Sequence, residues 1–145
     1  MANWLYPANT KYYDVLRAFG SKQTYWPIKS KIVPGDNIYI YLAAPYKQIG
    51  FVGSVIQTSL PEAVVTREIK PFFKQTPPKS KEKRSFMEIG KITPIPLIEA
   101  SPFSLSKLRE HGLNGMLMGP RNLENSPILL EYVKGCRNEL RQNRA

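Results

Sequence analysis

The sequence is poor in the residues that most often carry chemistry. It has one cysteine, Cys136, and one histidine, His111, in 145 residues. A lone cysteine excludes an internal disulfide and any multi-cysteine zinc site. Aspartate occurs only as Asp14 and Asp36. Asp36 falls in a Pro34-Gly35-Asp36 turn, where its carboxylate can bond its own backbone. No carboxylate pair for metal-assisted hydrolysis is evident. Gly112, Gly115 and Gly119 are not followed by the Lys and Ser/Thr of a phosphate loop. His111 beside Gly112 reads as a helix-end residue. Cys136 reads as a structural thiol on the apolar face of the last helix. No cofactor or metal is expected. No apolar run is long enough to span a bilayer. The opening MANWLYPANT lacks the basic and apolar regions of a signal peptide. The expectation is therefore a non-membrane protein of a reducing, cytoplasmic compartment.

Acidic residues are also scarce, 11 against 21 lysines and arginines, leaving a formal charge of +10. That balance points to a polyanionic partner, nucleic acid before an anionic membrane. The plain alternative is a solvated basic surface. The length fits one domain with a proper core.

What the chain does have is β-branched and aromatic residues around Val33–Thr58. Ile38 to Leu42 and Ile49 to Ile56 read as two adjacent strands. They are apolar at nearly every position, so both faces should be covered. Gly50 and Gly53 mark bulges or close backbone approaches. Upstream, Trp4–Tyr6 read as a strand closed by Pro7, with Trp4 in the core. Asn9 or Thr10 can cap a helix over Tyr12–Phe19, where Tyr12, Leu16 and Phe19 share a face. Trp26, followed by Pro27, reads as extended and fixed in a loop. The residues leave it between a core and a ligand-facing role.

Downstream, Ala63–Thr66 reads as a strand, and Phe86–Ile98 as another that Pro94 and Pro96 place at an edge. Between them lies a basic, Pro-rich loop at 70–85, with Phe72 and Phe73 among lysines. Ser104 caps a short helix and Met116–Met118 read as a short strand. Ser126 and Pro127 open a final helix. Residues 1–137 are thus expected as one domain and 138–145 as a polar, basic tail. The element order predicts an α+β domain, a small twisted barrel-like mixed sheet flanked by helices.

The opening strand followed by Pro7, Ala8 and Asn9 resembles the start of an EVE domain. So do the helix beginning YYDVLRAF, the isolated Trp26, and the runs GDNIYIYLAAP and IGFVGSV. GLNGMLMGPRNL, from Gly112 to Leu123, is similar to a late segment of EVE-like proteins. The EVE domain belongs to the PUA-like group with the YTH and ASCH domains. The resemblance implies a barrel-like sheet with a pocket at one end for a flipped, often modified, base. It implies pocket residues Trp26, Asn9, Ala8, Pro27, Tyr41, Ala43, Pro45 and Tyr46. A second aromatic wall would fall to Tyr46, Phe72 or Phe73. A basic rim for the nucleic-acid backbone would come from Lys29, Lys31, Lys79, Lys81, Lys83, Arg84 and Arg121.

The expected function is a non-enzymatic reader of nucleic acid carrying a modified base. DNA is favoured over RNA because EVE-like domains often accompany modification-dependent restriction systems. A protein partner, or an effector acting in trans or by fusion, would accompany it. The rival readings are a protein-interaction adaptor with a vestigial pocket and an ASCH-like enzyme acting on nucleic acid.

Overall fold

The structure is a computed structural model that describes residues 1–10, 13–28, 30–74 and 85–143. The strands are β1 (Asn3–Ala8), β2 (Gln23–Pro27), β3 (Asn37–Leu42), β4 (Gln48–Pro61), β5 (Ser85–Pro94) and β6 (Arg121–Asn122). The helices are α1 (Val15–Phe19), α2 (Glu62–Ile69), α3 (Leu105–Glu110) and α4 (Pro127–Asn143). The strands form one mixed sheet in the order β2-β5-β4-β3-β1-β6. β1 and β3 are parallel, and every other ladder is antiparallel.

Strand alternation divides the core in two. Trp4, Tyr6 and Ala8 of β1 pack with Ile38, Ile40 and Leu42 of β3 on one face. Phe51, Met87 and Ile89 join them, with Val15, Ala18 and Phe19 of α1 and Val65 and Ile69 of α2. Leu5, Tyr39 and Tyr41 point the other way, onto Leu108 of α3 and Leu129, Val133 and Cys136 of α4. Both faces of β3 are therefore covered, as its apolar run demands, and so is β4 from Ile49 to Val55, whereas Ile56 is 47% exposed. β4 bends as it crosses the sheet, with its register against β5 shifting between Val52 and Ser54. A Cβ at Gly53 would lie 2.6 Å from Ile89 Cγ2, so no larger residue fits that bend.

The turn before β3 is the junction of three strands. Gly35 adopts φ +94°, a conformation favoured only by glycine. Asp36, 3% exposed, accepts from the Ala2 N–H at 2.9 Å, the Val33 N–H at 3.1 Å and the Trp4 indole at 3.1 Å. The carboxylate bonds its own turn, as its position suggests, and also fixes the start of β1.

Several elements differ from their expected form. Ala63–Thr66 is helical, within α2. Extended Pro61 precedes the helix and Glu62 occupies its first turn. Val65 and Ile69, four apart, bury one face while Val64 stays 61% exposed. Packing thus overrides the β-propensity of two valines and a threonine. α1 starts at Val15, capped by the Asp14 carboxylate, which accepts from the Arg17 N–H at 3.3 Å. Lys11 and Tyr12 lie outside the described residues. Trp26 is in β2, opposite Met87 of β5, and not in a loop. Met116–Met118 is not a strand; the strand comes later, where Leu5 and Trp4 pair with Arg121 and Asn122. α4 continues through Asn138–Asn143, because Leu140 packs against the helical side of the core.

Replacing Asp36 with alanine leaves three N–H groups without their acceptor, two of them on the segment that begins β1. Asp36→Ala is expected to lower the unfolding free energy by about 2–4 kcal/mol, read from urea denaturation.

Candidate functional site

β1 and β2 lie at distant places in the strand order and share no ladder, yet both face one cavity of about 610 Å³. The cavity lies where β1, β2 and β3 end and β5 begins. Tyr6, Pro7, Ala8 and Asn9 contribute from β1 and its exit, and Tyr41 and Ala43 from the end of β3. Tyr25, Trp26 and Pro27 of β2 face them, with Phe86 of β5. Ile69 and Phe73 close one side, and the segment Leu117–Pro120 another.

The wall at the β1 exit is strapped to that of β3. The Ala43 N–H donates to the Ala8 carbonyl at 3.2 Å, and the Thr10 hydroxyl to the Ala44 carbonyl at 3.2 Å. Lys74 Nζ donates to the Thr10 carbonyl at 2.9 Å, which brings one exposed ammonium to this corner. Tyr6 is held by a hydrogen bond between its hydroxyl and Ser30 Oγ.

The aromatic wall is built around Tyr13. Its ring meets Trp26 edge-on at 5.4 Å between centroids, Phe72 at 5.9 Å and Phe73 at 5.2 Å. Trp26 is half-buried and also leans on Phe19 at 5.4 Å. Tyr13 is 8% exposed and its hydroxyl has no hydrogen-bond partner among the described residues. Burial, with a smaller contribution from the Asp14 charge, raises its phenol pKa well above the ordinary tyrosine value. Burial raises that of Tyr41 too, with Arg109 opposing.

Six of the eight residues expected at a pocket therefore come together here: Trp26, Asn9, Ala8, Pro27, Tyr41 and Ala43. Pro45 and Tyr46 do not join them. They follow Ala43 into a turn, where the Tyr46 N–H donates to the Ala43 carbonyl, and line a separate, charged depression with Lys47, Glu99, Arg109 and Glu110. Of the two phenylalanines, Phe73 reaches the cavity. Phe72 packs behind Tyr13, with the Arg17 guanidinium 5.4 Å over its ring.

Among the residues expected at the basic rim, Lys31 is exposed. Arg121 donates to the carbonyl oxygens of Asn114 and Met116, the latter at 2.8 Å, and so ties down the segment that becomes the Leu117–Pro120 wall. Lys29, Lys79, Lys81, Lys83 and Arg84 lie outside the described residues.

The sequence reading did not place Tyr6, Tyr13, Tyr25, Phe86 or Leu117–Pro120 at the cavity. Tyr6 was findable, since it shares strand parity with Ala8. The others depend on how the sheet curls and on the path of the chain from Gly112 to Pro120.

The described lining carries no carboxylate, imidazole, amine or thiol. His111 lies elsewhere, stacked on Tyr132 at 3.7 Å, its Nδ1–H donating to the Lys107 carbonyl at 2.8 Å. Buried Glu88 accepts from the side chains of Gln57 and Gln23. No group of three or more metal-ligating side chains occurs among the described residues. The arrangement suits stacking of a planar, uncharged ring, with polar contacts from a hydroxyl, the Asn9 amide and strand-end backbone.

No family model and no curated protein matches the sequence. Solved structures share its fold. The ASCH protein of Zymomonas mobilis has a TM-score of 0.60 at 13% identity, covering 90% of this chain and 94% of its own. A point mutant of that protein gives 0.62 at 11% identity, with 85% and 91% covered. A Pseudomonas putida protein gives 0.62 at 13% identity, with 94% and 99% covered. The fold is thus an α+β fold shared with the Zymomonas mobilis ASCH protein, with a twisted sheet that does not close. No helix among the described residues is long and apolar enough to cross a membrane.

Buried phenols give a pH signature. The unfolded chain loses tyrosine protons near pH 10, while native Tyr13 and Tyr41 keep theirs to higher pH. The native state then binds more protons than the unfolded one, so stability falls as pH rises above about 10. Phenolate absorbance of the native protein should show fewer than its eight tyrosines ionising in that range, the remainder appearing on unfolding. Tyr13→Phe should lessen the alkaline loss of stability.

Proposed function

We propose that this protein is a non-enzymatic nucleic-acid-binding module that takes one base, extruded from its stack, into the cavity beside Trp26. The observation that carries the reading is the cavity's uncharged aromatic lining in a chain of net charge +10. Removing a base from its stack costs a few kcal/mol. Stacking on aromatic faces returns about 1–3 kcal/mol per base. Phosphates then pair with the basic exterior, which contributes salt-dependent and sequence-independent affinity.

Within that reading, a modified base is favoured. The cavity is largely apolar, and a buried methyl group adds about 0.8 kcal/mol. The choice of DNA over RNA rests on the EVE resemblance of the segments Asn3–Thr58 and Gly112–Leu123. The described lining offers tyrosine hydroxyls but no carboxylate, imidazole, amine or thiol, which fits binding better than turnover.

The test is fluorescence anisotropy with short single strands carrying a central cytosine or adenine, methylated or not, and an abasic control. Base-bearing strands should bind more tightly than the abasic one, and a methylated base more tightly than its parent. Trp26→Ala should weaken base-bearing strands by about tenfold and leave the abasic strand nearly unchanged. All affinities should fall with rising salt. Equal affinity for every strand, unchanged by Trp26→Ala, would leave only backbone binding.

A further inference from the structure

We propose that the exposed Met118 side chain is a wedge: as the cavity takes in a base, it enters the stack of a duplex at the step the base has left. The ligand class is therefore double-stranded nucleic acid. The proposal rests on the base-binding reading above and adds to it a residue and a strandedness.

Three observations carry it. Met118 is 83% exposed and also lines the cavity, so it stands at the mouth. Leu117 beside it is partly buried and packs with the core cluster that includes Leu5, Tyr39 and the apolar face of α4. One apolar residue of the pair is anchored, and the next is left in solvent. The segment that carries them is tied at both ends. Leu113 is buried, and Arg121, opposite Leu5 of β1, donates to the carbonyls of Asn114 and Met116. The Met118 N–H donates to the Met116 carbonyl at 3.1 Å, closing a tight turn over Leu117.

Extruding a base from a duplex breaks its pairing and its stacking contacts. An apolar side chain that fills the gap recovers part of that loss, and methionine is among those that insert between base steps. Its stem is unbranched and its thioether polarisable, which suits the narrow space between two flat rings. Met118 itself gains by leaving water. The net charge of +10 complements the phosphates of both strands. A single strand has no pair to break and no gap held open by a partner strand, so the wedge has no task there.

Met116 supplies an internal control. It is 74% exposed on the same segment but does not line the cavity.

The experiment measures anisotropy with the full chain on one oligonucleotide carrying a central methylated cytosine or adenine. It is offered as a single strand, as that strand with an abasic centre, and as the base-bearing duplex, with thermal melting alongside. Wild type should bind the duplex through the cavity, so that Trp26→Ala weakens it. Met118→Ala is expected to weaken the duplex by about 5- to 10-fold and the single strand by less than about twofold, with no change in melting temperature. Met118→Leu, which keeps an apolar wedge, should retain most of the duplex affinity, and Met116→Ala should change neither form. Duplex affinity kept in full by Met118→Ala overturns the wedge. So does an equal loss on both forms, which would make Met118 a piece of cavity wall, or a lowered melting temperature, which would make it structural. Duplex binding indifferent to Trp26→Ala overturns it as well. In each of these cases the base-binding reading stands if wild type still prefers the base-bearing single strand to the abasic one. Equal affinity for those two strands removes the base-binding reading and the wedge with it.

Discussion

The fold depends on one buried carboxylate. Asp36 collects N–H donors from Ala2, Val33 and the Trp4 indole. Around it the Asn37 N–H donates to the Ala2 carbonyl, the Gly35 N–H to the Val55 carbonyl, and the Val55 N–H to the Asp36 carbonyl. Three strands from separate parts of the chain thus meet at a single turn. β1 and β3 are parallel, so no short hairpin can set their register. The Asp36 turn does so instead, pairing Asn3 with Asn37 and, five residues on, Ala8 with Leu42. The far end of that ladder is a wall of the cavity. A constraint at one end of the sheet therefore fixes the position of Ala8, Asn9, Tyr41 and Ala43 at the other.

The cavity exists because the sheet curls without closing. A closed barrel would bury the seam between β1 and β2 under a ladder of hydrogen bonds. Here the side chains of α1 join the cluster beneath the sheet, and the end of the seam is lined by rings. Rings suit such a place. They bring large apolar area with few rotatable bonds and pack edge-to-face around a gap. The Tyr13, Trp26, Phe19 and Phe51 chain of contacts links the cavity wall to the sheet core.

Much of this was legible in the sequence where local chemistry decides the outcome. The Pro34-Gly35-Asp36 turn, the two central strands, the Ser104 cap and the buried face that includes Cys136 all follow from short patterns. The EVE-like segments also brought six lining residues together. Local patterns failed where tertiary packing wins. Val64 and Val65 have strand propensity, yet they lie on a helix because burying Val65 and Ile69 on one face requires it. Trp26 read as a loop residue from Trp-Pro alone, since an edge strand ending in proline carries the same local signal. Pro45 and Tyr46 follow Ala43 closely in sequence but turn away from it in space. Tyr13 had no signal, because its place in the wall comes from ring contacts with Trp26, Phe72 and Phe73 that only the assembled fold brings together.

Arg121 shows how charge in a sequence divides between binding and building. From composition alone each cation is a candidate for a phosphate. Arg121, however, directs its guanidinium at the Asn114 and Met116 carbonyls. Gly115, between the two acceptors in sequence, adopts φ +68°, a backbone conformation that favours glycine. The consequence is a fixed course for Leu117–Pro120 and an exposed Met118, 83% accessible, at the cavity's edge. A lysine, with a single ammonium and no planar fork, could not hold two carbonyls in the same way. The residue's charge adds to the general attraction for a polyanion, while its geometry shapes the neutral pocket. In the proposed reading those are separate tasks. On that proposal, charge would govern how strongly the chain holds a nucleic-acid backbone, and the uncharged wall which base it accepts.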